Sequence, residues 1–322
     1  MKEDFEYKLE QIKNVWNQFI WEYDFCKKEI KFDFEARTNY FGDIFGYFLD
    51  TNVIILQYSN SESNSIRFSN QISLLQSIYV QQDFIEELLR LFKLRINKGD
   101  LKKDPNYTIN RNIRNELVGH PIRRENGNGE LISSCLFGYN GGDSKITYLK
   151  YHRENNFKFE SMEFLISEII SRHKEFLNYY FDKILNKLKR ILSKFIKKID
   201  TLESLIENKS FNEILNISEV FFESIFESDY IYDKDSLLII YSKKNDHLRY
   251  QNFIDRFYRD LKTGLKEIKE YVKELFEPQS PRSKTEAEKT IFKIEFVEAS
   301  ELSPEKIELP ITYHYELGKL AI

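Results

Sequence analysis

LLQSIYVQQDFIEELLRLF (74–92) decides the fold class. Leu75, Ile78, Gln82, Ile85, Leu89 and Phe92 recur at alternating spacings of three and four, which places all six on one stripe of an α-helix. Gln82 is the polar member of that seam. A buried amide in such a position sets register between packed helices; alternatively, Gln81, Gln82 and Asp83 face a polar site inside a bundle. Composition points the same way. Eleven Gly and six Pro in 322 residues are less than half of what average usage of about 12% supplies. Few turn formers with many Lys, Glu, Leu and Ile predict a mainly α chain.

Outward from that helix, similar stripes recur. Phe5, Leu9, Ile12, Trp16, Phe19, Ile20 and Tyr23 predict an N-terminal helix, and a second apolar stretch runs from Tyr40 to Leu56, interrupted by Gly42 and Gly46. The polar SNSESNS (59–65) reads as a loop. INKGDLKKDPNY (96–107) breaks the pattern before a short helix from Thr108 to Val118, which Gly119, as a left-handed cap, and Pro121 end. RRENGNGE (123–130) reads as a loop. LISSCLF (131–137) and KITYLKYH (145–152), joined through the Asn140-Gly141 turn signal, predict an inserted β-hairpin. Helix returns near Phe159 and runs to Ile199, its later half carrying Lys183, Lys187, Lys189, Arg190, Lys194, Lys197 and Lys198 as a solvated face or an RNA or partner surface. Further helices fit 202–207, 211–226 and 248–276, whereas SLLIIY (236–241) has no assignable period. EPQSPRSKTEAE (277–288) reads as a linker, followed by strands at 292–297 and 311–317. A two-stranded tail is marginal in water, so it is expected to dock on the 131–152 hairpin or a second protomer.

Several chemistries are absent from the sequence. It holds no GxxxxGK[ST], no GxGxxG opening a helix and no HExxH. Asp229, Asp233 and Asp235 lack the Gly and closing Glu of a calcium loop. The histidines (120, 152, 173, 247 and 314) are scattered, and Cys26 and Cys135 form neither a disulfide framework nor a zinc site. No metal or cofactor is expected. MKEDFEYKLEQ (1–11) has no apolar signal core, and no run of about 18 apolar residues occurs. The expected setting is soluble, cytoplasmic and without membrane contact.

One segment stands out: Arg111-Asn112-Ile113-Arg114-Asn115-Glu116-Leu117-Val118-Gly119-His120-Pro121. Six residues of helix rotate by about 240°, so Arg114 and His120 share no face unless the chain turns at Gly119. A permanently charged fork beside a group that titrates near neutrality suits phosphodiester chemistry: Arg holds the phosphate, His moves protons. The chain is net −4. The stretch from Lys98 to Arg124, however, sets seven basic residues (Lys98, Lys102, Lys103, Arg111, Arg114, Arg123, Arg124) against three acidic ones. That local excess is what an RNA backbone seeks. The structural alternative is that Arg114 pairs with Glu116 or Glu87 while His120 bonds the last helix carbonyls.

Arg114-Asn115-x4-His120, in the form RNELVGHP, together with the preceding helix 74–89, resembles the HEPN domains (higher eukaryotes and prokaryotes nucleotide-binding), whose signature is Arg, four to six residues, then His, with a polar residue after the Arg. The resemblance spans roughly residues 40–182. It implies an antiparallel bundle of four or five helices, from which the 131–152 hairpin is a departure, and leaves the first 35 residues and those beyond about 200 unmatched. The chain as a whole reads as a bundle over 1–186 with that hairpin inserted, a C-terminal helical region (187–276) and the linker with its β tail (277–322). The resemblance also implies a homodimer with a composite active site, and a metal-independent endoribonuclease of the kind found in toxins and anti-phage defence. In that reading Arg114 and His120 are catalytic and Asn115 supports them. Arg111, Arg123, Arg124, Lys102 and Lys103 bind RNA, and a regulatory or antitoxin partner is expected, with control supplied by the C-terminal region. Non-catalytic HEPN scaffolds for dimerisation, nucleotide binding or sensing are the alternative class. A DNA-binding regulator is disfavoured, because no helix-turn-helix with basic recognition residues is present.

Overall fold

The computed structural model describes residues 4–21, 24–32, 40–58, 63–97, 99–125, 130–136, 144–223, 234–274, 276, 292–295 and 314–317. Asp229 and Asp233, the Asn140-Gly141 turn, the 277–288 linker and all of the 296–313 stretch of the tail lie outside them. Nine α-helices occur among the described residues: α1 (Asp4–Val15), α2 (Asp24–Ile30), α3 (Tyr40–Leu56), α4 (Asn64–Leu91), α5 (Pro105–Arg114), α6 (Ile166–Ile206), α7 (Phe211–Glu223), α8 (Lys234–Ser242) and α9 (Leu248–Glu274). They are joined by a four-stranded antiparallel sheet in the order β1 (Ile122–Glu125), β2 (Glu130–Leu136), β3 (Lys145–Tyr151) and β4 (Phe159–Leu165). No helix among the described residues is long and apolar enough to cross a membrane.

The chain divides into two units, residues 1–8 with 32–184, and residues 9–31 with 185–322. In the first, Ile55 of α3, Leu74, Leu75 and Ile78 of α4, Ile113 of α5, Ile146 and Tyr148 of β3, and Ile166 and Ile169 of α6 form one buried cluster. Each such aliphatic side chain contributes about 1.5–3 kcal/mol on burial. The amides beside the α4 seam are buried cross-links between helices. Gln81 donates to the Phe48 carbonyl (3.2 Å) and Thr51 Oγ1 (3.1 Å), and Gln82 donates to the Tyr107 carbonyl (3.0 Å). His173 Nε2 lies 2.7 Å from Gln81 Oε1. Because the Gln81 amide nitrogen is already donating, its oxygen accepts, and His173 is the neutral tautomer with the proton on Nε2.

Two expectations need correction, and one unassigned run finds its element. The helix near Phe159 begins only at Ile166; residues 159–165 form β4, paired along its whole length with β3. FESMEFL has no regular alternation of its own, and a neighbouring strand with free donors and acceptors outweighs its continuity with the helical stripe. Residues 122–125, read as loop from Arg123 onward, are β1, in register with β2 from Ile122↔Ser133 to Glu125↔Glu130, so the hairpin is the middle of a larger sheet. SLLIIY belongs to α8.

In the second unit, Phe19 packs on Phe195 and Tyr271, and Phe211 stacks on Tyr241 at 4.3 Å. Lys269 bridges to Asp200 and Glu203, both at 2.7 Å. Within the lysine-rich part of α6, Lys194 pairs with Glu29 at 2.6 Å and Lys189 lies over the Phe276 ring. The tail strands β5 (Phe292–Glu295) and β6 (His314–Leu317) pair antiparallel, and β5 lies against α9.

Candidate functional site

α5 starts as its sequence dictates: Asp104 caps it by accepting from the Asn106 N–H at 2.8 Å, and Pro105 occupies the first turn. Tyr107, Asn110 and Ile113 point into the unit, where Asn110 donates to the Ile169 carbonyl (2.9 Å) and accepts from Arg172 (3.2 Å). That fixes the helix rotation, and the adjacent face presents Arg111 and Arg114 to α4. Both guanidiniums lie over the Tyr79 ring, at 3.5 and 3.8 Å from its centroid. Arg111 is neutralised by Asp83 at 2.7 Å.

Arg114 is held differently. Its Nε and Nη2 donate to Gln76 Oε1 at 3.1 and 2.9 Å, and its Nη1 donates to Asn115 Oδ1 at 3.3 Å. Its hydrogen-bond partners among the described residues are neutral amides, so the group is oriented while its charge stays uncompensated. The carboxylates named as alternatives are engaged elsewhere. Glu116 accepts from Lys150 (2.7 Å) and the Tyr148 hydroxyl and lies 3.7 Å from Arg123. Glu87 accepts from the Tyr40 hydroxyl at 3.0 Å. Burial pushes Glu116 up, but the hydrogen bonds from Lys150 and Tyr148 and the charges of Lys150 and Arg123 outweigh it and hold the carboxyl below its ordinary 4.5.

Beyond Arg114 the helix widens into a π-turn over Asn115–Gly119, closed by the His120 N–H donating to the Asn115 carbonyl at 2.7 Å. Asn115 thus bonds Arg114 through its side chain and His120 through its backbone. Gly119 is not the left-handed cap expected of it; among the described glycines, Gly99 alone has a positive φ. Its role is steric, because a Cβ there would sit 2.6 Å from Arg114 Nη1. The His120 ring is exposed and hydrogen-bonds no described residue.

No known protein family, curated protein or solved structure matches the chain. Its own geometry therefore has to carry the reading. Arg114 and Asn115 are joined through their side chains, and Asn115 and His120 through the backbone of the π-turn. Arg123, on β1, donates to the His120 carbonyl at 3.3 Å, and Arg124 is exposed on the same strand. Lys102 and Lys103 precede α5, whose ten residues separate them from Arg114 by about 15 Å, and Lys103 is paired with Asp100 at 2.7 Å. Among the described residues no cluster of three or more His, Cys, Asp or Glu could hold a metal ion.

Gln76, Tyr79, Glu116 and Tyr148 were not foreseen. Gln76 and Tyr79 are three apart and lie one position beyond seam residues Leu75 and Ile78. That adjacency was the available signal. Nothing in the sequence pairs Glu116 with β3.

Proposed function

We propose that the protein is a metal-independent endoribonuclease of the HEPN type, acting as a homodimer with a composite cleft, in anti-phage defence or as a toxin. The carrying observation is Arg114: a guanidinium clamped by two amides and an aromatic ring, unpaired with any described carboxylate, six residues before an exposed histidine at a helix exit. A cation so held is prepared for an anion and loses little by binding one. On this reading the ribose 2′-hydroxyl attacks the adjacent phosphorus and the bond to the 5′-oxygen breaks. Arg114 offsets the charge developing on the non-bridging oxygens, and His120 moves the proton. Asn115 keeps the two in register. The products are a 2′,3′-cyclic phosphate and a 5′-hydroxyl, so DNA is not cut.

Incubation of the purified chain with mixed RNA in excess EDTA, beside Arg114→Ala and His120→Ala, tests this. Cleavage that survives chelation, leaves cyclic phosphate ends and is lost in both variants is expected. Cleavage that persists in either variant overturns the assignment. A second reading, a non-catalytic HEPN scaffold or sensor, is favoured by one feature: no described residue orients the His120 ring, whereas a working base usually has such a partner. A folded wild type that binds RNA without cutting it would select that reading.

A further inference from the structure

The sheet has one face on the core and one outward. Ile132, Ser134, Ile146 and Tyr148 are buried on the inner face. The strand register Ile122↔Ser133, Ser133↔Tyr151 and Tyr151↔Phe159 makes a continuous row across the outer face. Ile122 is 74% and Phe159 61% exposed. Phe157, 48% exposed, joins them from the β3–β4 connection. There Asn156 and Phe157 have φ of 52° and 56°, a left-handed pair without glycine and a strained choice for a bulky residue. The turn brings the Phe157 ring to 5.4 Å from Tyr151, whose other neighbour, Phe159, is also at 5.4 Å. Three tilted rings thus form one outward cluster.

We propose that this outer face is a base-stacking platform for single-stranded RNA, with Tyr151, Phe157 and Phe159 as its rings. Its choice of RNA rests on the ribonuclease reading above. Three observations select a nucleic acid over a protein partner. The apolar surface is concentrated in aromatic rings, on which any base can stack. The flanking charge is basic: Lys158, between Phe157 and Phe159 in the sequence, is exposed, while Glu163 on the outer face is paired with Lys145 at 3.0 Å. The row also begins at Ile122, two residues after His120, and reaches Phe159 three strand spacings away, about 14 Å. The π-turn lies against the inner face through Glu116, Tyr148 and Lys150, so a strand stacked on the rings would reach Arg114 around the β1 edge.

Fluorescein-labelled U12 and an RNA duplex of equal length, each titrated against the full chain carrying His120→Ala, supply the test. U12 is expected to bind at least about tenfold more tightly than the duplex, whose bases are already stacked. Phe157→Ala, Phe159→Ala and Phe159→Leu should each weaken U12 by about tenfold, and Phe159→Tyr should not. Unchanged U12 affinity in both alanine variants, or equal binding of the duplex, overturns the platform. So does a change in molecular mass by light scattering in Phe159→Ala with U12 affinity intact, which would mark a protein interface. Ring-dependent binding by a wild type that cuts nothing leaves the platform standing and removes the ribonuclease. Wild-type cleavage matched by both alanine variants removes the platform alone.

Discussion

A methyl group on Gly119 would meet Arg114 Nη1 at 2.6 Å, and the obstacle is the tip of a flexible side chain. Gly119→Ala is therefore expected to fold normally, with a midpoint in urea no lower than wild type, because the native φ suits any residue. The guanidinium must move, however. Loss of one charge-assisted contact, about 1.5–3 kcal/mol, predicts roughly tenfold or more lost RNA cleavage. Equal activity in the variant would show that the packing of Arg114 on Gly119 is incidental. His173 shows the opposite case, a histidine kept out of acid–base chemistry. Burial pushes it from 6.5 down to about 3, so the folded protein excludes a proton that the unfolded chain accepts below pH 6.5. His173 is without effect above that pH and costs up to about 1.4 kcal/mol per pH unit as acidity rises from 6.5 towards 3. Its ring proton resonance should not move between pH 8 and 5, and a titration near 6.5 would contradict the burial.

At the scale of elements, the π-turn and the sheet are joined through Glu116, which receives Lys150 and Tyr148 from β3 and faces Arg123 from β1. Its carboxyl is held below 4.5 in the folded state, so its stabilisation is present above about pH 4.5 and disappears as pH falls through the folded value. Glu116→Gln is expected to cost about 1–3 kcal/mol at pH 7 and progressively less in acid, read from urea unfolding of both proteins between pH 7 and 3. A cost independent of pH would assign the effect to shape. Of these elements, α4, α7 and α9 could be read from apolar spacing, as could the middle of the sheet. β1 and β4 could not. RRENGNGE has turn composition and FESMEFL continues into a helical stripe, and each becomes a strand because a paired edge is available beside it.

Across the whole molecule the charge balance is −4, and tertiary contacts trim the local basic excess further. Asp83 neutralises Arg111, Asp100 pairs Lys103, and Glu116 faces Arg123. The full set of basic residues between Lys98 and Arg124 therefore does not act as one patch. For contacts to two to four phosphates, log K for U12 against log salt should have a slope of about −1 to −3. A slope steeper than about −5 would mean that the paired cations engage RNA after all.

Residue order alone determined the mainly α class, the short helix ending near Gly119 and the Arg114–His120 pair, because helix spacing and terminators are local properties of a chain. Tertiary structure decided what those residues experience. Gln76 and Tyr79 reach Arg114 from another helix, Glu116 is drawn away from it by β3, and Gly119 acts through space and not through its own φ. The outward aromatic row exists only once four strands are in register. Charge compensation, steric fit and shared sheet faces depend on distances between residues far apart in sequence, and chain closure alone sets those distances.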